Sequence, residues 1–275
     1  MSRTVGHVVP RAWIFAVLAA SCAPGATFAQ GAPGAVVPPP PPQQKEEAGP
    51  ADGRTIARLP ANLIRATFGV FNAANLEPAV VGTVATGSAT MFDDQVAKAL
   101  DDPDSELGPR LEIGGSPLWS GGVVGALFVG GRLAGGPRFR AATYDWLEAW
   151  VVTAGYTELV KEIVGHRRPN GQDDRSFPSG HASNAFALAA VAGRHYGWRV
   201  GAVAYGLAGL VGLSRIEQNA HHLSDVLGGA TLGYIVGQTV VRVNTSSTRL
   251  RRTRVTVSPV LARNSRALVV RVSWR

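Results

Sequence analysis

The sequence contains a single cysteine, Cys22, and that residue lies in the N-terminal leader. An internal disulfide, a cysteine-ligated metal and thiol redox chemistry are therefore excluded from the mature chain. Aromatic residues are scarce, at 7%, whereas glycine is abundant, with 33 residues among 275. Small residues recurring within apolar runs favour closely packed helices over a large β-sandwich. Acid is missing from one region: residues 242–275 hold nine arginines and no carboxylate, leaving 18 basic and 19 acidic residues before them. The net charge of +8 thus belongs to the tail. With no nucleic-acid motif beside it, that charge does not indicate DNA or RNA binding.

Long apolar runs are also few. Arg3 and Arg11 precede the short run Ala12–Ala20, and small residues lead to a cleavage position near Ala29-Gln30, the pattern of a secretory signal over residues 1–29. Leu18-Ala19-Ala20-Ser21-Cys22 is close to a bacterial lipoprotein cleavage site, so export is expected with lipid anchoring at Cys22 as a variant of it. Residues 30–58, with five consecutive prolines from Pro38 to Pro42, form an extended tether rather than a core. One domain is expected over residues 59–241.

Within that domain, apolar segments broken by Gly, Pro and acidic loops predict helices over Asn62–Asn75, Pro78–Met91, Asp93–Leu100, Gly121–Leu133, Thr143–Gly165, Ala182–Ala192, Val200–Leu213 and Val226–Val241. The acidic run Asp101–Glu106 reads as a solvated loop. The last two helices are short against the roughly 20 residues a membrane span needs. The expectation is a periplasmic helical domain, membrane-associated rather than multi-spanning. In the tail, the alternation of Val255 and Val257, then Leu268, Val270, Val272 and Trp274, predicts a β-hairpin turning near Arg263-Asn264-Ser265. Its arginines are suited to an anionic lipid surface.

Three clusters carry the chemistry. Lys161 and Arg168 are seven residues apart, which on a helix returns them to one face, and Pro169 ends that helix. Pro178-Ser179-Gly180-His181 precedes an apolar helix, so Ser179 caps it and Gly180 leaves its first amides open to an anion beside His181. Ser214-Arg215 is followed by His221 and Asp225, an i, i+4 pair in which the carboxylate accepts from Nδ1 and leaves Nε2 free for attack. His222, one position on, points elsewhere on that helix. Each cluster alone has an ordinary structural explanation as a basic helix end, a cap or a surface ion pair.

Their order is more specific: Lys-x6-Arg-Pro, then Pro-Ser-Gly-His, then Ser-Arg-x5-His-x3-Asp, with every position filled. This resembles the superfamily of type-2 phosphatidic acid phosphatases, bacterial acid phosphatases and vanadium haloperoxidases. The resemblance implies an all-α fold, a compact helical bundle core, here followed by the tail hairpin. It implies that His221 attacks phosphorus, Asp225 orients it, and His181 protonates the leaving oxygen and then activates water. Lys161, Arg168, Ser179, Gly180 and Arg215 would hold the phosphoryl oxygens. It further implies a metal-independent phosphatase with no cofactor, acting on a lipid phosphate, a prenyl diphosphate or a small phosphomonoester. A vanadate-dependent haloperoxidase and a non-catalytic phosphate- or lipid-binding module are the alternatives. Neither substrate identity nor oligomeric state is written in these residues.

Overall fold

The computed structural model describes residues 53–100 and 116–246 with their side chains. The leader with Cys22, most of the tether, the Asp101–Glu106 run and the expected tail hairpin lie outside them. Among the residues described with their side chains all secondary structure is helical: α1 (Leu59–Gly69), α2 (Leu76–Ala89), α3 (Asp93–Leu100), α4 (Pro117–Ala134), α5 (Pro137–Val164), α6 (Gly180–Tyr196), α7 (Trp198–Glu217) and α8 (Leu223–Arg252), with single 3-10 turns at Ile56–Arg58, Ala73–Asn75 and Thr90–Phe92.

Local chemistry sets several boundaries. Ser116 and Ser179 cap α4 and α6 by accepting from the amides of Trp119 and Ala182. Pro117 and Pro137 occupy the first turns of α4 and α5, where no amide donor is needed. The Asp93 carboxylate accepts from the Ser224 amide (2.9 Å) and hydroxyl (2.7 Å), fixing the start of α8 to α3. The first predicted helix stops earlier than expected, at Gly69, and a separate 3-10 turn capped by Asn72 follows it. The last two run longer than expected. Trp198–Glu217 and Leu223–Ser246 are both long and apolar enough to cross a membrane, because the helices continue through the polar residues that bounded the apolar runs.

The centre of the bundle is the packing of α8 on α6. Gly229, Gly233 and Gly237 recur every four residues on α8, and a methyl added to them would lie 2.5, 2.0 and 2.6 Å from the backbone oxygens of Ser179, Ser183 and Ala187. Those three residues are themselves small and spaced by four along α6. The two backbones therefore touch, which no larger side chain on α8 allows. Around this seam, Ala66, Ala149, Val152, Val191, Val236 and Val240 form a buried core joining α1, α5, α6 and α8. A second core of Ala89, Ala182, Ile216, Leu223, Val226 and Leu227 lies under the starts of α6 and α8.

At mid-helix on α5, Asp145 and Glu148 are fully buried. Asp145 pairs with Arg54 (2.8 Å) and His195 (2.8 Å), and Asn244 donates to both carboxylates, at 2.8 Å and 2.7 Å. Asp145 thus ties the segment ahead of α1 to α5, the end of α6 and the middle of α8. Burial, helped by the neighbouring Asp145 charge, pushes the Glu148 carboxyl up to about 7.

Two predictions follow from this packing. Gly233→Ala should lower stability by about 1–3 kcal/mol or more through forced separation of α6 and α8, whereas Gly209→Ala, whose added methyl meets nothing, should not; thermal unfolding compares them. Because Glu148 titrates higher in the fold than in the unfolded chain, its stabilising contribution is complete below about pH 4.5 and is lost as pH rises through about 7, a cost of up to about 3 kcal/mol. Glu148→Gln should therefore flatten the fall in Tm between pH 5 and 8; an unchanged slope would contradict the assignment.

Candidate active site

The three clusters converge where α6 and α8 begin. The seam between these helices brings the ends together, and the Ser179 amide donates to the Asp225 carbonyl at 2.9 Å. The long loop between α5 and α6 is clipped to the α7–α8 connection. Asn170 donates its amide to the Asn219 carbonyl (3.1 Å), and the Arg168 guanidinium donates to the Ala220 carbonyl (2.9 Å).

Lys161 lies in the last turn of α5, and its ammonium reaches the start of α6: a methyl built on Gly180 would sit 3.9 Å from Nζ. Arg168 does not share its helical face, contrary to the sequence reading. Gly165 takes a left-handed conformation (φ 60°) and ends α5 four residues before Pro169, so Arg168 reaches the site from the loop. Its Nε donates to Asp173 (2.7 Å), and one terminal nitrogen faces His221 Nε2 at 3.4 Å. Arg215, largely buried in the last turn of α7, donates to the Gln218 side chain at 2.6 Å. Ser179 caps α6 as expected.

His181, in the first turn of α6, has a buried Nε2 with no hydrogen-bond partner in the protein. Burial lowers its pKa to about 3, aided by the charges of Arg215, Lys161 and Arg168 and by His221. Desolvation and nearby Arg168 likewise lower Lys161. This is an electrostatically strained constellation, with several cations and two imidazoles sharing one polar recess. A bound dianion would relieve it and raise His181 again.

His221 departs from the simple i, i+4 pair. It lies in the connection before α8 rather than on the helix, and its Nδ1 is 3.7 Å from Asp225 Oδ2, beyond hydrogen-bond distance. Ser176 stands between them, donating to Asp225 Oδ2 at 2.5 Å with its Oγ 3.4 Å from His221 Nδ1. The other contacts of Asp225 are His166 Nδ1 at 2.9 Å, the His222 amide at 2.7 Å and His222 Nδ1 at 3.1 Å. His222 thus turns toward Asp225 instead of away. Burial would raise the pKa of this carboxyl, but the nearby His221 ring and the donors of Ser176, His222 and His166 outweigh it and hold it below the ordinary carboxylate range. His221, buried and only partly compensated by Asp225, is lowered and so neutral near pH 7.

Ser176, His166 and His222 were not assigned to the site from sequence. Ser176 offered one signal, its place three residues ahead of Ser179, and the other two offered only their nearness to Arg168 and His221. The arrangement also has an apolar side. A groove of about 400 Å³ between α4, α5, α6 and α7 is lined by Trp119, Val123, Leu127, Trp146, Leu188 and Leu207, and His181 is part of its wall. From His181 to Ala192 the α6 wall of this groove extends about 16 Å.

Residues 140–249 match the family model described as the PAP2 superfamily. Over 87 residues the chain is 40% identical to a lipid A 1-phosphatase of Porphyromonas gingivalis, an alignment covering 30% of this chain and 20% of that protein. Over 120 residues it is 32% identical to a decaprenylphosphoryl-5-phosphoribose phosphatase of Mycobacterium tuberculosis, covering 39% of this chain and 66% of that one. The chain therefore spans less than two thirds of the length of either relative. A transmembrane PAP2-type phosphatidylglycerolphosphate phosphatase from Bacillus subtilis superposes with a TM-score of 0.49 at 19% identity, over 71% of this chain and 98% of that one. Residues 140–249, the stretch similar to the PAP2 superfamily, carry every polar side chain named in the recess.

Proposed function

We propose that the protein is a membrane-associated phosphatase of lipid-linked phosphate esters or diphosphates, working without a metal through a phosphohistidine at His221. The observation that carries this reading is that His181 belongs at once to the polar recess and to the apolar groove along α6. A substrate with its phosphoryl group among Lys161, Arg168, Arg215 and the start of α6 would lay an alkyl or prenyl chain along that groove. The apolar surface fits a lipid setting: Phe68, Val84, Leu118, Leu133, Trp198 and Val203 are all exposed. The names of the two relatives, both phosphatases, point the same way.

In this reading, neutral His221 attacks phosphorus through Nε2 and displaces the leaving oxygen. Ser176 and Asp225 hold the charge that develops on the ring through Nδ1. Lys161, Arg168 and Arg215, with the Ser179 hydroxyl and the Gly180 amide, receive the phosphoryl oxygens, so that negative charge meets fixed donors throughout. His181, protonated once the dianion is seated, donates to the leaving oxygen. It then takes a proton from the water that attacks phosphorus; the bond from phosphorus to His221 breaks, His221 is regenerated and inorganic phosphate is released. Residues 1–29 would export the chain and residues 30–58 would tether it. The domain over residues 59–241 would carry the catalysis, with the arginines of residues 242–275 against anionic lipid.

Purified full-length protein in chelator should release phosphate from lipid phosphates or prenyl diphosphates with a kcat/KM at least about a hundredfold above that for nucleotides or sugar phosphates, since the groove binding would be lost to the latter. Vanadate should inhibit. His221→Ala should abolish release yet still bind vanadate, because the cations remain. A strict requirement for added metal, or equal rates on water-soluble esters, would overturn the reading.

A second expectation concerns His181. Near pH 7 the binding of sulfate, a dianion that does not itself titrate there, should draw in up to one proton as His181 is recharged. Calorimetry in buffers of differing ionisation enthalpy measures that uptake. Uptake absent in the wild type, or undiminished in His181→Asn, would contradict the assignment.

A further inference from the structure

Two imidazoles beside the recess have no part in the mechanism above. His166, in the loop after α5, and His222, just ahead of α8, direct Nδ1 at opposite oxygens of the Asp225 carboxylate, at 2.9 Å and 3.1 Å. Their rings lie 4.8 Å apart, and the three ligand atoms lie within 4.8 Å of one another. Two imidazole nitrogens and a carboxylate oxygen are a ligand set for zinc. In a tetrahedral site the ligand atoms stand about 3.3 Å apart, given Zn–N and Zn–O bonds of roughly 2.0–2.1 Å. The separations across Asp225 are already near that value.

We propose that His166, His222 and Asp225 form an inhibitory site for zinc or a similar borderline divalent metal. Access comes from the imidazole side: the His166 and His222 side chains are 41% and 21% exposed, whereas Asp225 is fully buried. Solvent supplies the fourth ligand. Nitrogen donors favour zinc over magnesium or calcium, which prefer all-oxygen shells. On binding, each ring gives up its Nδ1 proton, to solvent or through solvent to its own Nε2, and the metal replaces two hydrogen bonds to the carboxylate. No oxidation or reduction is involved. The catalytic consequence rests on the phosphatase reading: a cation on Asp225 withdraws the negative charge that Ser176 and His221 face and so makes His221 a poorer nucleophile.

The probe is zinc alone, titrated into metal-free, full-length protein by equilibrium dialysis. One zinc per chain is expected, with affinity reduced at least about tenfold in His166→Ala and in His166→Gln, which keeps a hydrogen-bond donor but loses the imidazole ligand. In the phosphate-release assay, zinc should lower kcat and chelator should restore it, and in both variants the fold-inhibition by zinc, measured against each variant's own metal-free rate, should fall. Equal zinc affinity, or equal inhibition, in wild type and both variants would overturn the site, as would an absence of zinc binding with the two imidazoles acting only as hydrogen-bond partners. A chain that binds one zinc through His166 but hydrolyses no substrate in chelator would sustain the site and overturn the phosphatase reading alone.

Discussion

Backbone contact between α6 and α8 is the constraint on which the rest depends. Gly229, Gly233 and Gly237 lie against Ser179, Ser183 and Ala187 with no room for a side chain between the helices. This seam runs up to the point where both helices begin, and there the Ser179 amide meets the Asp225 carbonyl. A separation of even one methyl group at Gly233 would move the cap and amides of α6 away from His221 and Asp225. Small residues in the bundle therefore set the spacing of charged residues at its end.

The loop between α5 and α6 supplies part of the site. The segment from Gly165 to Phe177 brings Arg168 in from outside the helices and places Ser176 between His221 and Asp225. It also adds His166 to the same carboxylate. Asp225 thereby becomes the shared acceptor of Ser176, His166 and His222 rather than the private partner of one histidine. Burial, together with the surrounding cations, depresses the His181 pKa, so binding of an anion among those cations would be linked to protonation of His181. Far from this recess, Asp145 and Glu148 bury a second charged network that ties the N-terminal segment and α8 to α5.

Much of this was legible in the sequence because the signal was local or fixed in order. The cap Ser179, the apolar helices and the succession from Lys161 to Asp225 needed no tertiary information. Helix ends set by one conformation were less legible: the left-handed Gly165 moved Arg168 from a helix face to a loop. The relay through Ser176 was not legible, because it depends on where the loop is clipped rather than on its spacing from His221. The same holds for His166, 59 residues from Asp225 in the chain. The apolar groove also escaped, since Trp119, Trp146, Leu188 and Leu207 come from four helices and share no motif.

The central claim is that these residues form one phosphoryl-transfer site with His221 as its nucleophile. Rapid acid-free quenching of full-length protein during turnover of a phosphorus-labelled lipid phosphate, followed by peptide mapping, tests it most directly. The account predicts an acid-labile, base-stable phosphoryl group on His221 Nε2, absent from His221→Ala. Label on another residue, or turnover by His221→Ala at the wild-type rate, would contradict it.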